Sequence, residues 1–355
     1  MVWMLPYLFV MSSIGPMGPD APAREPQLAV NGPTVAMVFG AGQSIYFSRS
    51  TDSGKTFADP VKVGGGAVIP LTRHRGPRIA FAGSAIVITA VVGKTAAGGP
   101  HAHGLPSDGD LIAWRSTDGG QRWSSGIAVN DVPASATEGL HALASEGSGH
   151  LFAAWLDKRD HGTQMYGSRS DDGGRSWSKN TLVYNSPDGT ICECCHPSLA
   201  FDKRGKILVM WRNWLNGSRD MYLAQSTDGT KFSAPRKLGD GTWRLNACPM
   251  DGGGLAVSKD RVFTAWRREH DVYLDEPGQK EVAVGQGTDI ALTAGDRGVY
   301  LIWSSQNGVE LLSPGHAKPS TIAPQGSFPA IAAVPDGHAV AAWENAGKIE
   351  VQVVR

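Results

Sequence analysis

An excess of either charge is missing from this 355-residue sequence, in which 33 lysines and arginines face 33 aspartates and glutamates. A balanced surface has no long-range field to gather polyanions, so nucleic acid and anionic membrane are excluded as partners held by charge. Long amphipathic helical periodicity is absent, which argues against a helical bundle. No glycine-rich phosphate loop opens a helix, and no Ser/His/Asp nucleophile motif is visible, so two common enzyme classes are left without a signature. Long apolar runs are also lacking. The stretch Val2 to Ile14 is mostly apolar but too short to span a bilayer. Followed by the small-x-small site Ala21-Pro22-Ala23, residues 1–23 read as an export signal, or else a lipid-facing anchor, although the first basic residue is Arg24. Residues 24–355 then form one domain of a periplasmic or secreted protein, with no further transmembrane span.

What the chain has in abundance is punctuation. With 45 glycines, 22 prolines and 11 tryptophans it suits many short strands joined by tight turns. One phrase recurs four times: Ser50-Thr51-Asp52-Ser53-Gly54-Lys55-Thr56-Phe57, Ser116-Thr117-Asp118-Gly119-Gly120-Gln121-Arg122-Trp123, Ser170-Asp171-Asp172-Gly173-Gly174-Arg175-Ser176-Trp177 and the shorter Ser226-Thr227-Asp228-Gly229-Thr230-Lys231-Phe232. The shared pattern is Ser-x-Asp-x-Gly-x-x-aromatic. Its carboxylate can accept bonds from the turn's own N–H groups, its glycine is free to take positive φ, and its ring folds back under the loop.

This phrase resembles the Asp-box, or BNR repeat, of the sialidase-like β-propellers. The resemblance implies an all-β fold of six or seven four-stranded antiparallel blades. It also implies that the boxes join third to fourth strands on the face away from the ligand, with Asp52, Asp118, Asp172 and Asp228 in structural roles. Seven first strands can be counted: Gln27–Val30, Arg78–Ala82, Ala142–Ser145, Ser198–Phe201, Gly254–Val257, Asp289–Thr293 and Pro329–Ala333. Second strands end near Phe39, Val92, Trp155, Trp211, Trp266, Trp303 and Trp343, the tryptophans reading as packing between blades. The last unit has only three strands before Arg355, which leaves the count between six and seven.

A propeller binds its ligand on the face opposite the boxes, where loops enter first strands and leave second strands. Here those loops carry all four cysteines, in Cys192-Glu193-Cys194-Cys195-His196 and at Cys248, two residues before Met250. Three readings stand side by side. Cys192-x-x-Cys195-His196 matches a c-type haem attachment sequence, with Met250 as second axial ligand. Alternatively, Cys194, Cys195, His196, Cys248, Met250 and His141, joined by His101 and His103 from the expanded loop Gly93–Asp110, would hold a soft metal, copper above all. In the third, disulfides pin neighbouring loops, for example Cys248 to one member of the triplet.

The resemblance implies a different chemistry for the same face. Sialidases clamp a substrate carboxylate with three arginines and use a Tyr–Glu pair with an acidic general acid/base. Arg75, Arg78, Arg212 and Arg267 are the candidates for the clamp, with Glu138, Asp251 or Glu269 as carboxyl groups. Where the family's first-blade Phe/Tyr-Arg-Ile-Pro phrase is expected, the chain reads Glu25-Pro26-Gln27-Leu28-Ala29-Val30, and Tyr300 lies inside a strand pattern that favours core packing. The leading expectation is therefore a metal- or haem-binding module whose central face meets a small molecule, glycan or metal. The alternatives are a sialidase-like hydrolase or glycan binder acting on acidic sugars, and a structural propeller with disulfide-locked loops.

Overall fold

The computed structural model describes residues 11–15, 17–99, 102 and 104–355. His101 and His103 lie outside the described residues, as do residues 1–10 and 16 of the leader. Seven four-stranded antiparallel sheets form a β-propeller, and among the described residues helix is confined to one 3-10 turn, Gly18–Asp20. The inner strands are Ala23–Asn31, Arg78–Ala82, His141–Ser145, Ser198–Phe201, Gly253–Ser258, Thr288–Gly295 and Ser327–Ala333, which number blades 1 to 7. Every expected first strand falls within one of them.

The ambiguity between six and seven blades is resolved by the N-terminus. Met11–Ile14 pairs with Lys348–Val354 as the outermost strand of blade 7, Met11 opposite Gln352 and Ile14 opposite Ile349. The ring is thus closed by both ends of the chain. These four residues lie inside the stretch that reads as a leader.

At the axis some inner-strand positions must be small because neighbouring strands approach closely. At Gly254 of blade 5 an added Cβ would come within 2.4 Å of the Leu292 Cβ of blade 6. Between blades the tryptophans fill the space as their pattern predicts. Trp155, Trp211, Trp303 and Trp343 are fully buried, Trp303 against Val272 and Leu274 of the preceding blade and Trp211 against Phe152 and Val183. Tyr300 is equally buried and donates to the Gly337 carbonyl, in keeping with a core role.

All four Asp-boxes join third to fourth strands. In the first, Ser50 Oγ accepts from Gly54 N–H at 2.9 Å while Asp52 Oδ1 accepts from Thr56 N–H at 2.9 Å. Asp118, Asp172 and Asp228 accept from their own turn amides in the same way. With charge held by these donors, the carboxyls sit below their ordinary range, Asp52 at about 2. No helix among the described residues is long and apolar enough to cross a membrane.

Candidate active site

The axial mouth opposite the boxes is built by a repeated backbone irregularity. In blades 1, 6 and 7 the pairing of first and second strands shifts register, between Arg24 and Gln27, Thr288 and Ala291, and Ser327 and Ala330. The residue thrown out of each ladder has left-handed φ: 56° at Glu25, 58° at Asp289 and 49° at Phe328. Such bulges re-aim a side chain at the cost of local strain. In all three blades the re-aimed side chain meets the same residue, His74 from the loop entering blade 2.

His74 is the hub of the site. Its Nε2 lies 3.1 Å from Asp289 Oδ1, its backbone N–H donates to Glu25 Oε1 at 2.9 Å, and its carbonyl accepts from Arg78 Nη2 at 2.6 Å. Its ring lies 4.3 Å from that of His196 and 5.3 Å from that of Phe328, centroid to centroid. Glu344, from the second strand of blade 7, accepts from the Glu25 N–H at 2.7 Å. Gly76 makes room for this arrangement, since a Cβ there would come within 2.2 Å of the Glu25 Cβ. Beneath the mouth runs an axial channel of about 170 Å³ lined by His74, Arg78, His196 and inner-strand residues of the blades, leucines and isoleucines among them.

Burial and neighbouring charges drive the titratable groups apart. Burial would lower His74, but the hydrogen bond and charge of Asp289, with Glu25 and Asp251, hold it above its ordinary value. Asp289 moves the other way: burial opposes ionisation, and the hydrogen bond from His74 with that ring's charge outweighs it, so its carboxyl falls. Burial pushes Glu25 and Asp251 up. Burial and the adjacent Glu25 push Glu344 up to about 7. One carboxyl of the mouth is therefore held ionised while another keeps its proton near neutrality, the pattern that separates an acid from a base. Two buried polar atoms here have no hydrogen-bond partner, Asp251 Oδ1 and His196 Nδ1.

The sequence-derived candidates distribute unevenly around this hub. Asp251 is fully buried at the mouth, and Arg267 Nε binds its Oδ2 at 2.9 Å. Arg78 donates to the carbonyls of His74, Gly76 and Pro77, and Arg212 to those of Asp251, Arg219, Gly252 and Arg267. Arg267 also binds the carbonyls of Pro249 and Glu269. Arg75 Nε donates to the Glu138 carbonyl, and the Glu138 carboxylate binds Lys158 at 3.0 Å. These arginines hold loops in place, so the expected carboxylate clamp is not assembled, and the mouth is lined by acidic groups instead.

The metal and haem candidates separate as well. Cys192, Cys194 and Cys195 cluster, with Met250 packed against them. Cys248 is exposed and outside the cluster, and all four cysteines are free thiols, so the expected pairing of Cys248 with the triplet is not formed. His141 is spent on Thr89, with Nε2 3.1 Å from its Oγ1, and burial lowers its pKa to about 3. A c-type haem does not fit. The Cys192 and Cys195 sulfurs lie 3.2 Å apart, buried and packed with Met250, so no macrocycle can seat against them, and His196 stacks on His74.

Glu25, His74, Asp289 and Glu344 were missed by sequence reasoning because they come from four different blade entries and exits. A signal was present. Glu25-Pro26, Gly76-Pro77, His196-Pro197 and Phe328-Pro329 each immediately precede the regular part of an inner strand, marking equivalent entry positions.

A groove of about 650 Å³ adjoins the mouth between blades 5 and 6, lined by Arg267, Gln286, Thr288, Gln306, Asn307 and Glu310 among others. Thr288 Oγ1 donates to Asp289 Oδ2 at 3.1 Å, so groove and hub share a wall.

The sequence family described as BNR repeat-like domain matches residues 107–247. No curated protein matches the chain. Among solved structures, a Dyadobacter fermentans protein of unknown function is similar at 15% identity and a TM-score of 0.60, covering 97% of this chain and 98% of that one. An α-L-arabinanase of Penicillium chrysogenum, solved with arabinobiose, is 14% identical with a TM-score of 0.55, over 98% of this chain and 97% of that one. A leech intramolecular trans-sialidase is 11% identical with a TM-score of 0.54, over 92% of this chain and 65% of that one. At such identities the likeness establishes the fold.

Proposed function

We propose that this chain, a seven-bladed BNR-repeat propeller of the sialidase-like kind, is a glycoside hydrolase acting on a neutral oligosaccharide at its axial mouth. The observation that carries the reading is the presence of two unlike carboxyls at one mouth, Asp289 against His74 and Glu344 against the Glu25 N–H. Asp289 is held ionised by His74, while Glu344 retains its proton up to about pH 7. In glycosidic hydrolysis one carboxyl protonates the departing oxygen and an ionised partner serves the anomeric carbon. Glu344 takes the first role, its proton passing to the leaving alcohol as the carbon–oxygen bond breaks. Asp289 takes the second, drawing the proton from the incoming water whose hydroxyl joins the anomeric carbon. His74 is a positioning residue for Asp289. Asp251 Oδ1 and His196 Nδ1, both lacking a partner, suit sugar hydroxyls, which donate and accept at one atom.

Charge supports a neutral sugar over an acidic one. Glu25, Asp251, Asp289 and Glu344 surround the mouth, and the nearby Arg78 and Arg212 are engaged with backbone carbonyls. A substrate carboxylate there would meet the ionised Asp289, with Arg78 and Arg212 already engaged. The arabinobiose complex of the Penicillium arabinanase offers a neutral sugar on the same fold. The groove between blades 5 and 6 has room for further sugar units.

The test is a panel of neutral arabino-, galacto- and gluco-oligosaccharides beside 3'-sialyllactose, with products resolved by chromatography and binding measured by calorimetry. Cleavage of a neutral member, lost in Asp289→Asn and Glu344→Gln with binding retained, is the expected result. Turnover of sialyllactose alone, or neutral-sugar turnover unchanged in both variants, would overturn the reading.

A further inference from the structure

The hydrolytic reading leaves one cluster unused. Cys192 and Cys195 Sγ lie 3.2 Å apart, Cys192 and Cys194 Sγ 3.7 Å, and all three sulfurs fall within 4.8 Å of one another. The three residues are 1%, 5% and 1% exposed. We infer that this triplet is a binding site for a single soft monovalent metal ion, Cu(I), held by three thiolates with the Met250 thioether at its side.

Geometry supports three-coordination. Three sulfurs at a first-row metal–thiolate distance of about 2.3 Å stand about 4.0 Å apart around a trigonal ion. The spacing of the triplet therefore needs only a small expansion to admit one. Thiolate and thioether donors select Cu(I), zinc or iron–sulfur clusters. Structural zinc takes four nitrogen or sulfur ligands, and the adjacent imidazole, His196, is turned away onto His74. The remaining neighbour is Met250, whose sulfur now meets Arg73 Nη1 and would exchange that contact for the metal. A thioether in the fourth direction suits copper and not zinc.

The surroundings supply the compensating charge. Three thiolates with one monovalent cation carry a net charge of −2. Buried charge of that size is costly unless paired. Arg75 is 3% exposed, interacts electrostatically with Cys194, and has an Nη1 without a hydrogen-bond partner. Arg212 and Arg219 act on Cys192, and Arg219 Nε also lacks a partner. Arg75 and Arg219 thus act on the triplet with a donor each unspent, which a purely apolar packing role for the cysteines leaves unexplained.

The test uses the full chain, reduced and kept free of oxygen, titrated with Cu(I) against bicinchoninate as competitor. Expected are one copper per chain withdrawn from the competitor and, in X-ray absorption, sulfur scatterers at about 2.3 Å. Cys194→Ser should lose this retention, Cys248→Ser should keep it, and Met250→Leu should weaken it roughly tenfold. X-ray absorption of the unaltered chain keeps the proposal falsifiable if a variant fails to fold. No copper taken from bicinchoninate, a nitrogen–oxygen shell, or displacement of Cu(I) by equimolar Zn(II) would each overturn it. None of these readouts involves glycan cleavage, so this proposal and the hydrolytic one fail separately.

Discussion

His74 Nε2 stands 3.1 Å from Asp289 Oδ1, although 215 residues separate them in the chain. Blade 2 supplies the imidazole and blade 6 the carboxylate, and the axis of the propeller is where they meet. Because each group shifts the other toward its charged form, the pair is both a structural tie across the mouth and a fixed charge facing the ligand.

Asp289→Asn should lower turnover of a neutral oligosaccharide by about 100-fold or more, the usual scale for removing a positioned acid or base. KM should change little. The same substitution should bring His74 back toward its ordinary pKa, read by NMR titration of its ring protons. His74→Gln should reduce kcat while leaving the alkaline limb of the pH profile in place, since that limb belongs to Glu344.

The pH dependence follows from Glu344, which faces Glu25, Arg24 and Asp289. Activity that needs its proton should fall as pH rises through about 7. Stability has the same sign. A carboxyl whose folded pKa is raised from 4.5 to about 7 disfavours the native state progressively between those values and by a constant amount above them. Glu344→Gln should therefore raise the melting temperature at pH 8, by the equivalent of at most about 3 kcal/mol, and have little effect near pH 4. Thermal melts at the two pH values check it.

Gly76→Ala should disturb the site while leaving every titrating residue in the sequence. Its new methyl would come within 2.2 Å of the Glu25 Cβ, so Glu25 must shift and the bond it accepts from the His74 N–H is disturbed. Overpacking of this kind costs about 1–3 kcal/mol. The expected outcome is a lower melting temperature together with weaker sugar binding, by differential scanning calorimetry and titration.

Asp52 tests the boxes. Its carboxyl is depressed from 3.8 to about 2, so its contribution is present above pH 4 and lost as pH falls toward 2. Asp52→Ala leaves the Thr56 N–H and hydroxyl without their acceptor and should destabilise by about 1 kcal/mol at pH 7, discounted for its solvent contact. Glycan turnover should be unaffected, because the box lies on the other face.

Removal of residues 1–14 would take the outermost strand from blade 7. Ile14 is 8% exposed, and losing its burial costs about 1.5–3 kcal/mol. The shortened chain should melt earlier and expose the edge of Lys348–Val354 to self-association, visible by light scattering.

Much of the architecture can be read locally. The boxes are turns whose bonds close within a few residues, so Asp52, Asp118, Asp172 and Asp228 declare their role in the sequence alone. Tryptophans ending second strands likewise report a packing need that repeats with each blade. Arg78 and Arg212 were misleading for a definite reason. Guanidinium groups on entry and exit loops look free in a sequence, yet in the fold their donors reach backbone carbonyls that no motif could forecast. The cysteine triplet sits between these extremes: its crowding at 192–195 was visible, but the exclusion of Cys248, His141 and His196 depended on where three loops turn.

By itself, then, the sequence determined the strand rhythm, the Asp-box turns and the face on which ligand loops gather, since each rests on contacts between near neighbours. Blade number was decided only when Met11–Ile14 paired with the C-terminal strand, a contact across the whole chain. Likewise the convergence of Glu25, His74, Asp289 and Glu344 exists only in the closed ring. Each is an ordinary polar residue in its own blade, and only the shared axis brings them within reach and out of water, where burial can divide them into charged and neutral partners.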